Sequence, residues 1–160
     1  MAWVAPRTWV VGELVTAAMM NQDIRDNSTF LNSRWNWIAA PAAQMTDSSR
    51  DVTLDWTDLD LTSVTSATTV MVYLELYMRT GTIGAGDTAY LGVRKNGETP
   101  GGYPRLSVSD YAANNDLFYA HVLCGCDADE IVEYTINIVD SSGTISITTV
   151  IRTLAYMEAG

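Results

Sequence analysis

Histidine, cysteine and positive charge are all scarce in this 160-residue chain, and each scarcity removes a class of function. The single histidine, His121, would have to serve any Ser-His-Asp machinery alone. Its setting, Tyr119 to Gly125, reads as a strand and not as a catalytic loop. Two cysteines, Cys124 and Cys126, supply neither a disulfide framework nor a four-ligand zinc site. On a strand their side chains share one face at a spacing awkward for a relaxed bridge, so buried free thiols are expected. Nine Lys and Arg against 19 Asp and Glu leave a net charge of -10, which repels a phosphate backbone and an anionic membrane surface alike. Neither nucleic acid nor a membrane is therefore an expected partner, and the acidity reads as a solubility device. No stretch approaches the ~20 apolar residues that span a bilayer. Pro6, Arg7, Gly12 and Glu13 interrupt the apolar residues of the N-terminus, unlike a signal peptide. A product that matures in a cytoplasm is expected.

Motifs that carry chemistry are missing too. There is no G-x-S-x-G, no H-E-x-x-H and no Walker-type G-x-x-x-x-G-K-[ST]. Gly81, Gly84 and Gly86 make a glycine-rich loop without a basic residue to hold a phosphate, which reads as a flexible turn. Asp127, Asp129 and Glu130 offer hard oxygens suited to Ca²⁺ but lack EF-hand spacing, and an acidic turn between strands is the favoured reading. No catalytic residue, cofactor or metal ligand is assigned.

What is present is a foldable chain, 48% hydrophobic and 18% charged, of a length that suits one domain with an appendage. Residues 1–43 read as an arm and a helix for anchoring and oligomerisation, and residues 44–160 as a β head. In the arm, Trp3 and Trp9 are candidate anchors that can bury aromatic surface on a neighbour. From about Thr16 to Ile38 the spacing turns helical, with Thr16 as N-cap and Ala17, Met20, Ile24, Leu31 and Ile38 near one stripe. Asn27 falls on the same stripe, either setting the register of a seam or left wet by a tilt of the helix. The helix can self-associate, or pack on its own β domain or on a different protein. Residues 39–43, AAPAA, read as a linker.

Beyond the linker the pattern is that of strands. Residues 69–78, TVMVYLELYM, form a nearly continuous apolar run suited to a central strand. Further strands are expected at residues 52–56, 89–94, 106–108, 117–123, 131–139, 144–152 and 154–156, with a tight turn at Asn96-Gly97. About eight short strands with no intervening helix predict a mainly β fold, an antiparallel sandwich or jelly roll preceded by the arm and one α-helix.

The segment from Trp9 to Leu31, WVVGELVTAAMMNQDIRDNSTFL, resembles a form associated with bacteriophage virion proteins, W-x-x-G-E-x-V-T-A-x-x-[LM]-N-x-x-[IV]-R-D-N-x-x-x-L, over 23 positions. Shorter pieces of the head are also similar to such proteins: WTDLDL at residues 56–61, VRKNG at 93–97, and the final Tyr156-Met-Glu158. The resemblance is to tail-fibre, head-fibre and capsid-decoration proteins. It implies a β-rich structural protein, often a homotrimer, held in the virion by the major capsid protein or another virion protein. Two functions follow as expectations. One is a non-enzymatic capsid decoration or head fibre, assembled in the host cytoplasm and attached through its N-terminal segment. The other is a tail-fibre or tail-tip module whose loops at residues 80–87 and 100–111 recognise a host glycan or surface protein, with Tyr103 and Tyr111 as candidate contacts, although covering the ends of the sandwich is the favoured reading of these two rings.

Overall fold

A computed structural model describes residues 8, 10–99, 102–109 and 112–159. Trp3, Trp9 and Tyr111 lie outside them. The described part is a short helical segment followed by nine strands in two antiparallel sheets, as the composition and patterning predicted.

The helical segment consists of α1 (Ala17–Met20), a π-helical stretch (Asn21–Asp26) and α2 (Asn27–Ser33). It starts where expected: the Thr16 side chain accepts from the Met19 N–H at 3.3 Å, and the Met19 sulfur accepts from the Thr16 N–H. It stops earlier than expected. Arg34 is the only residue between α2 and β1 (Trp35–Trp37), so Ile38 lies past a strand and not on a helix, its N–H donating to the Leu154 carbonyl at 2.9 Å. The expected division at residue 43 thus falls inside the β structure. β2 (Ala43–Arg50) begins where the linker was expected to end.

The remaining strands are β3 (Leu54–Asp60), β4 (Thr69–Thr82), β5 (Thr88–Lys95), β6 (Arg105–Ser109), β7 (Leu117–Gly125), β8 (Ile131–Val139) and β9 (Ser146–Glu158). The first sheet runs β1-β9-β4-β7, with β2 also pairing β9; the second runs β3-β8-β5-β6. β9 serves both leading strands: Trp35–Trp37 pair with its end and Ala43–Arg50 with its beginning. The two expected strands at 144–152 and 154–156 are this one strand, which continues through a bulge opposite Tyr73 and Leu74. The Asn96-Gly97 turn forms, with Gly97 at φ +73° and the Glu98 N–H on the Lys95 carbonyl.

Alternation of side chains along strands builds the core. Val72, Leu74, Leu76 and Met78 of β4 point inward and are fully buried, as are Ile147 and Ile151 of β9. They form one cluster with Leu91 and Val93 of β5 and Val132 and Ile136 of β8 from the opposite sheet. Each such side chain contributes roughly 1.5–3 kcal/mol by leaving water.

Candidate functional site

Two surfaces are built from apolar side chains that the sandwich does not cover. The first is the helical segment. Neither α1 nor the π-helical stretch contains a buried residue. Met20, Ile24 and Leu31 are 42%, 55% and 50% exposed. Val10, Val11, Leu14 and Val15 just before the segment are exposed as well. Asn27 leaves the expected stripe and is buried, its amide donating to the Asp23 carbonyl at 3.4 Å. The π-helical winding accounts for this, because i→i+5 turns advance less per residue and rotate the later positions relative to Met20.

The second surface is the outer face of the five-stranded sheet. Tyr73 and Tyr77 of β4 point outward between the inward residues. Their pairing partners on β7, Leu123 and Tyr119, lie half exposed beside them. Trp37 of β1 is 70% exposed, and its ring stands edge-on to Tyr73 with centroids 6.0 Å apart. Tyr77 and Tyr119 lie 5.2 Å apart. Trp35, Trp37, Tyr73 and Leu123 line an open depression of about 470 Å³. In the middle of the face Glu75 accepts from Arg152, and His121 Nε2 lies 3.5 Å from the same carboxylate. His121 therefore sits on a strand, as expected, and its partners are Glu75 and the Tyr73 ring.

The outer face of the four-stranded sheet is covered in its middle by contrast. Trp56, Arg94 and Tyr103 stack there, with the Arg94 guanidinium 4.0 Å from the centre of the Trp56 ring and 2.8 Å from Glu133. Tyr103 stands edge-on to Trp56, and its hydroxyl donates to that of Tyr90 at 3.0 Å. The Tyr103 ring also occupies the space over Gly92, where an added Cβ would meet it at 2.6 Å. Tyr103 is thus a half-buried covering residue as well as a loop residue.

The remaining candidates are absorbed by structure. The glycine-rich loop, expected to be flexible, is tied to the turn at residues 140–143. Buried Asp87 accepts from the N–H groups of Gly84, Ser141 and Ser142 and from the Ser142 hydroxyl, at 2.7–2.9 Å. Burial works to raise the Asp87 pKa, but these hydrogen bonds together outweigh it and hold the carboxyl below its ordinary range. In the acidic turn, Asp127 accepts from Asp129 N–H, Ile131 N–H and the Asn96 side chain, while the Glu130 carboxylate accepts from the Thr65 hydroxyl. Among the described residues no group of three or more His, Cys, Asp and Glu is placed to hold a metal. Cys124 and Cys126 are buried free thiols, as expected. Burial, reinforced by neighbouring negative charge, pushes them up to about 12 and about 11.

Fold and surfaces together define an antiparallel two-sheet sandwich whose N-terminal helix and one aromatic sheet face are uncovered among the described residues. No protein-family model and no curated protein matches the chain. No helix among the described residues is long and apolar enough to cross a membrane.

The aromatic face was missed in the sequence, although a signal for it exists. Apart from Glu75, β4 has large apolar or aromatic residues on both sides from Val70 to Met78, and in a two-layer fold only one side of a sheet faces the core. Trp35 and Trp37 were hidden by the helical spacing that continues through them to Ile38.

Proposed function

We propose that this chain is a non-enzymatic structural protein of a bacteriophage particle, a capsid decoration or head fibre. It attaches through its N-terminal segment to the major capsid protein or another virion protein and displays the β sandwich outward. It works as a homo-oligomer, a trimer if it follows the proteins that its segment from Trp9 to Leu31 resembles. The observation that carries this reading is the helical segment itself: Met20, Ile24 and Leu31 remain exposed beside a sandwich whose core is complete without them. A helix of this length is marginal in water and gains its stability by burying an apolar side on something else. The alternative, a tail-tip module for a host glycan or protein, rested on loop residues. It draws less support, because Tyr103 is engaged with Trp56 and Tyr90 and the glycine-rich loop is tied to Asp87.

The test is incorporation into particles. The double variant Ile24→Glu, Leu31→Glu should fold its head normally and disappear from purified particles. Retention of the variant at the level of the unmodified chain would overturn the assignment.

A further inference from the structure

We propose that the outer face of the five-stranded sheet packs against the same sheet of a second copy of this chain, so that the heads themselves are an oligomer interface. The inference rests on the homo-oligomeric reading above and adds to it a surface that the helix does not supply.

Four observations point to a second copy. First, β4 is a central strand whose outward side chains include Met71, Tyr73 and Tyr77 around the ion pair of Glu75 with Arg152, and among the described residues no third layer covers them. A half-exposed aromatic patch of this kind marks an interaction surface. Second, the size fits. With strands about 4.8 Å apart and about 3.3 Å per residue, the face of β9, β4 and β7, with β1 and β2 sharing the edge beside β9, measures roughly 20 by 30 Å. That is the footprint of a standard interface, which buries about 800 Å² of accessible surface per partner.

Third, charge selects this face for self-association. A chain of net charge -10 repels its own copies, and contact is least opposed where carboxylates are fewest. β1, β2, β4, β7 and β9 carry three between them, Asp47, Glu75 and Glu158, and Asp47 is paired with Arg50. Glu75 is paired with Arg152, and Glu158 accepts from the Ser66 hydroxyl. On the opposite sheet β3 alone carries Asp55, Asp58 and Asp60. The aromatic face is thus close to neutral, its carboxylates paired or hydrogen-bonded, so that a second copy meets little repulsion there.

Fourth, the helix delivers this face to the same axis. Arg34 alone separates α2 from β1, and one residue reaches at most about 3.6 Å. Arg34 is also fixed, its Nε donating to the Glu158 carbonyl at 2.8 Å while its own carbonyl accepts from the Glu158 N–H at 3.1 Å. Helices that associate through Ile24 and Leu31 bring Trp35 and Trp37 of each copy toward one another.

The test compares two double variants of the full-length chain by sedimentation equilibrium across a wide concentration range: Trp37→Glu with Leu123→Glu on the face, and Ile24→Glu with Leu31→Glu on the helix. The unmodified chain should be a concentration-dependent oligomer. The face variant should raise the dissociation constant by about thirtyfold or more, as loss of an aromatic anchor does at an interface centre. A measurement on the unmodified chain guards against a face variant that does not fold: hydroxyl-radical oxidation of Trp37 and Tyr119 should fall as the oligomer forms. A face variant with unchanged dissociation beside a dissociating helix variant would overturn this inference and leave the oligomeric reading intact. An unmodified chain that stays at 17.5 kDa throughout would overturn both. Oxidation of Trp37 and Tyr119 that does not change while the mass does, or a face variant of unchanged mass that loses binding to host envelopes, would also overturn it, the latter by giving the face to a host ligand.

Discussion

In β4 every second side chain from Val72 to Met78 is fully buried, whereas Met20, Ile24 and Leu31 of the helical segment stand about half exposed. Both sets are large and apolar, and both occur in regular secondary structure. The difference lies in what each element meets. The strand has a second sheet opposite it, and the helix is joined to the sandwich through Arg34 and β1, with none of its described side chains in the core cluster. Stability of the head and exposure of the helix are therefore separable properties. Substitutions in the two regions should report on different equilibria.

The largest effect on the head should come from Leu74→Ala. Emptying a fully buried site costs about 3 kcal/mol, from lost transfer energy and the cavity left behind, and denaturant unfolding of the sandwich would read it. A loss under about 1 kcal/mol would mean that the core is not the cooperative unit described. Gly92→Ala should follow at about 1–3 kcal/mol, the usual cost of overpacking, because the new methyl meets the Tyr103 ring at 2.6 Å and drives it off Trp56. Relief of that cost in Gly92→Ala with Tyr103→Ala would confirm the contact as its cause.

Asp87 gives the contrast a pH dependence. Its folded pKa lies below the ordinary value of 3.8, so its contribution is fully present above that value and is lost as pH falls through the lower folded one. The stability gap between the unmodified chain and Asp87→Ala should therefore be constant near neutrality and shrink below about pH 4. A gap unchanged down to pH 2 would separate the carboxylate from the loop it is seen to tie. Smallest of all should be Ile24→Ser in dilute solution, expected to shift head stability by no more than about 0.5 kcal/mol. A larger shift would mean that the helix packs on its own sandwich.

Much of this division was legible in the residues. The helix start at Thr16 follows from a capping residue ahead of an apolar periodicity, and the strands from β3 to β9 follow from alternation between turn signals. Three features were not legible, each for a physical reason. β1 shares its spacing with the helix before it, because Leu31, Trp35 and Ile38 satisfy a 3.6-residue period while Trp35 and Trp37 satisfy a strand's. β2, AQMTDSSR, sends only Met45 into the core and has no apolar alternation to betray it. The Asp87 tie joins the glycine-rich loop to a turn more than 50 residues away, and local sequence does not encode such a pairing. For the surfaces, the helical stripe was visible apart from the displacement of Asn27 and the placing of Ile38 beyond β1, while the aromatic face required knowing that β4 lies in a two-layer fold.

Amide hydrogen exchange tests the central claim most directly, because it reads the helical segment and the strands in one experiment. At a concentration where the chain is monomeric, residues 17–33 should exchange with almost no protection while β4 and β9 open only with the whole fold. Protection of residues 17–33 should then appear on oligomerisation or on binding to particles. Helical amides in the dilute monomer as slow as those of β4 would contradict the account, since the segment would then be held by its own head.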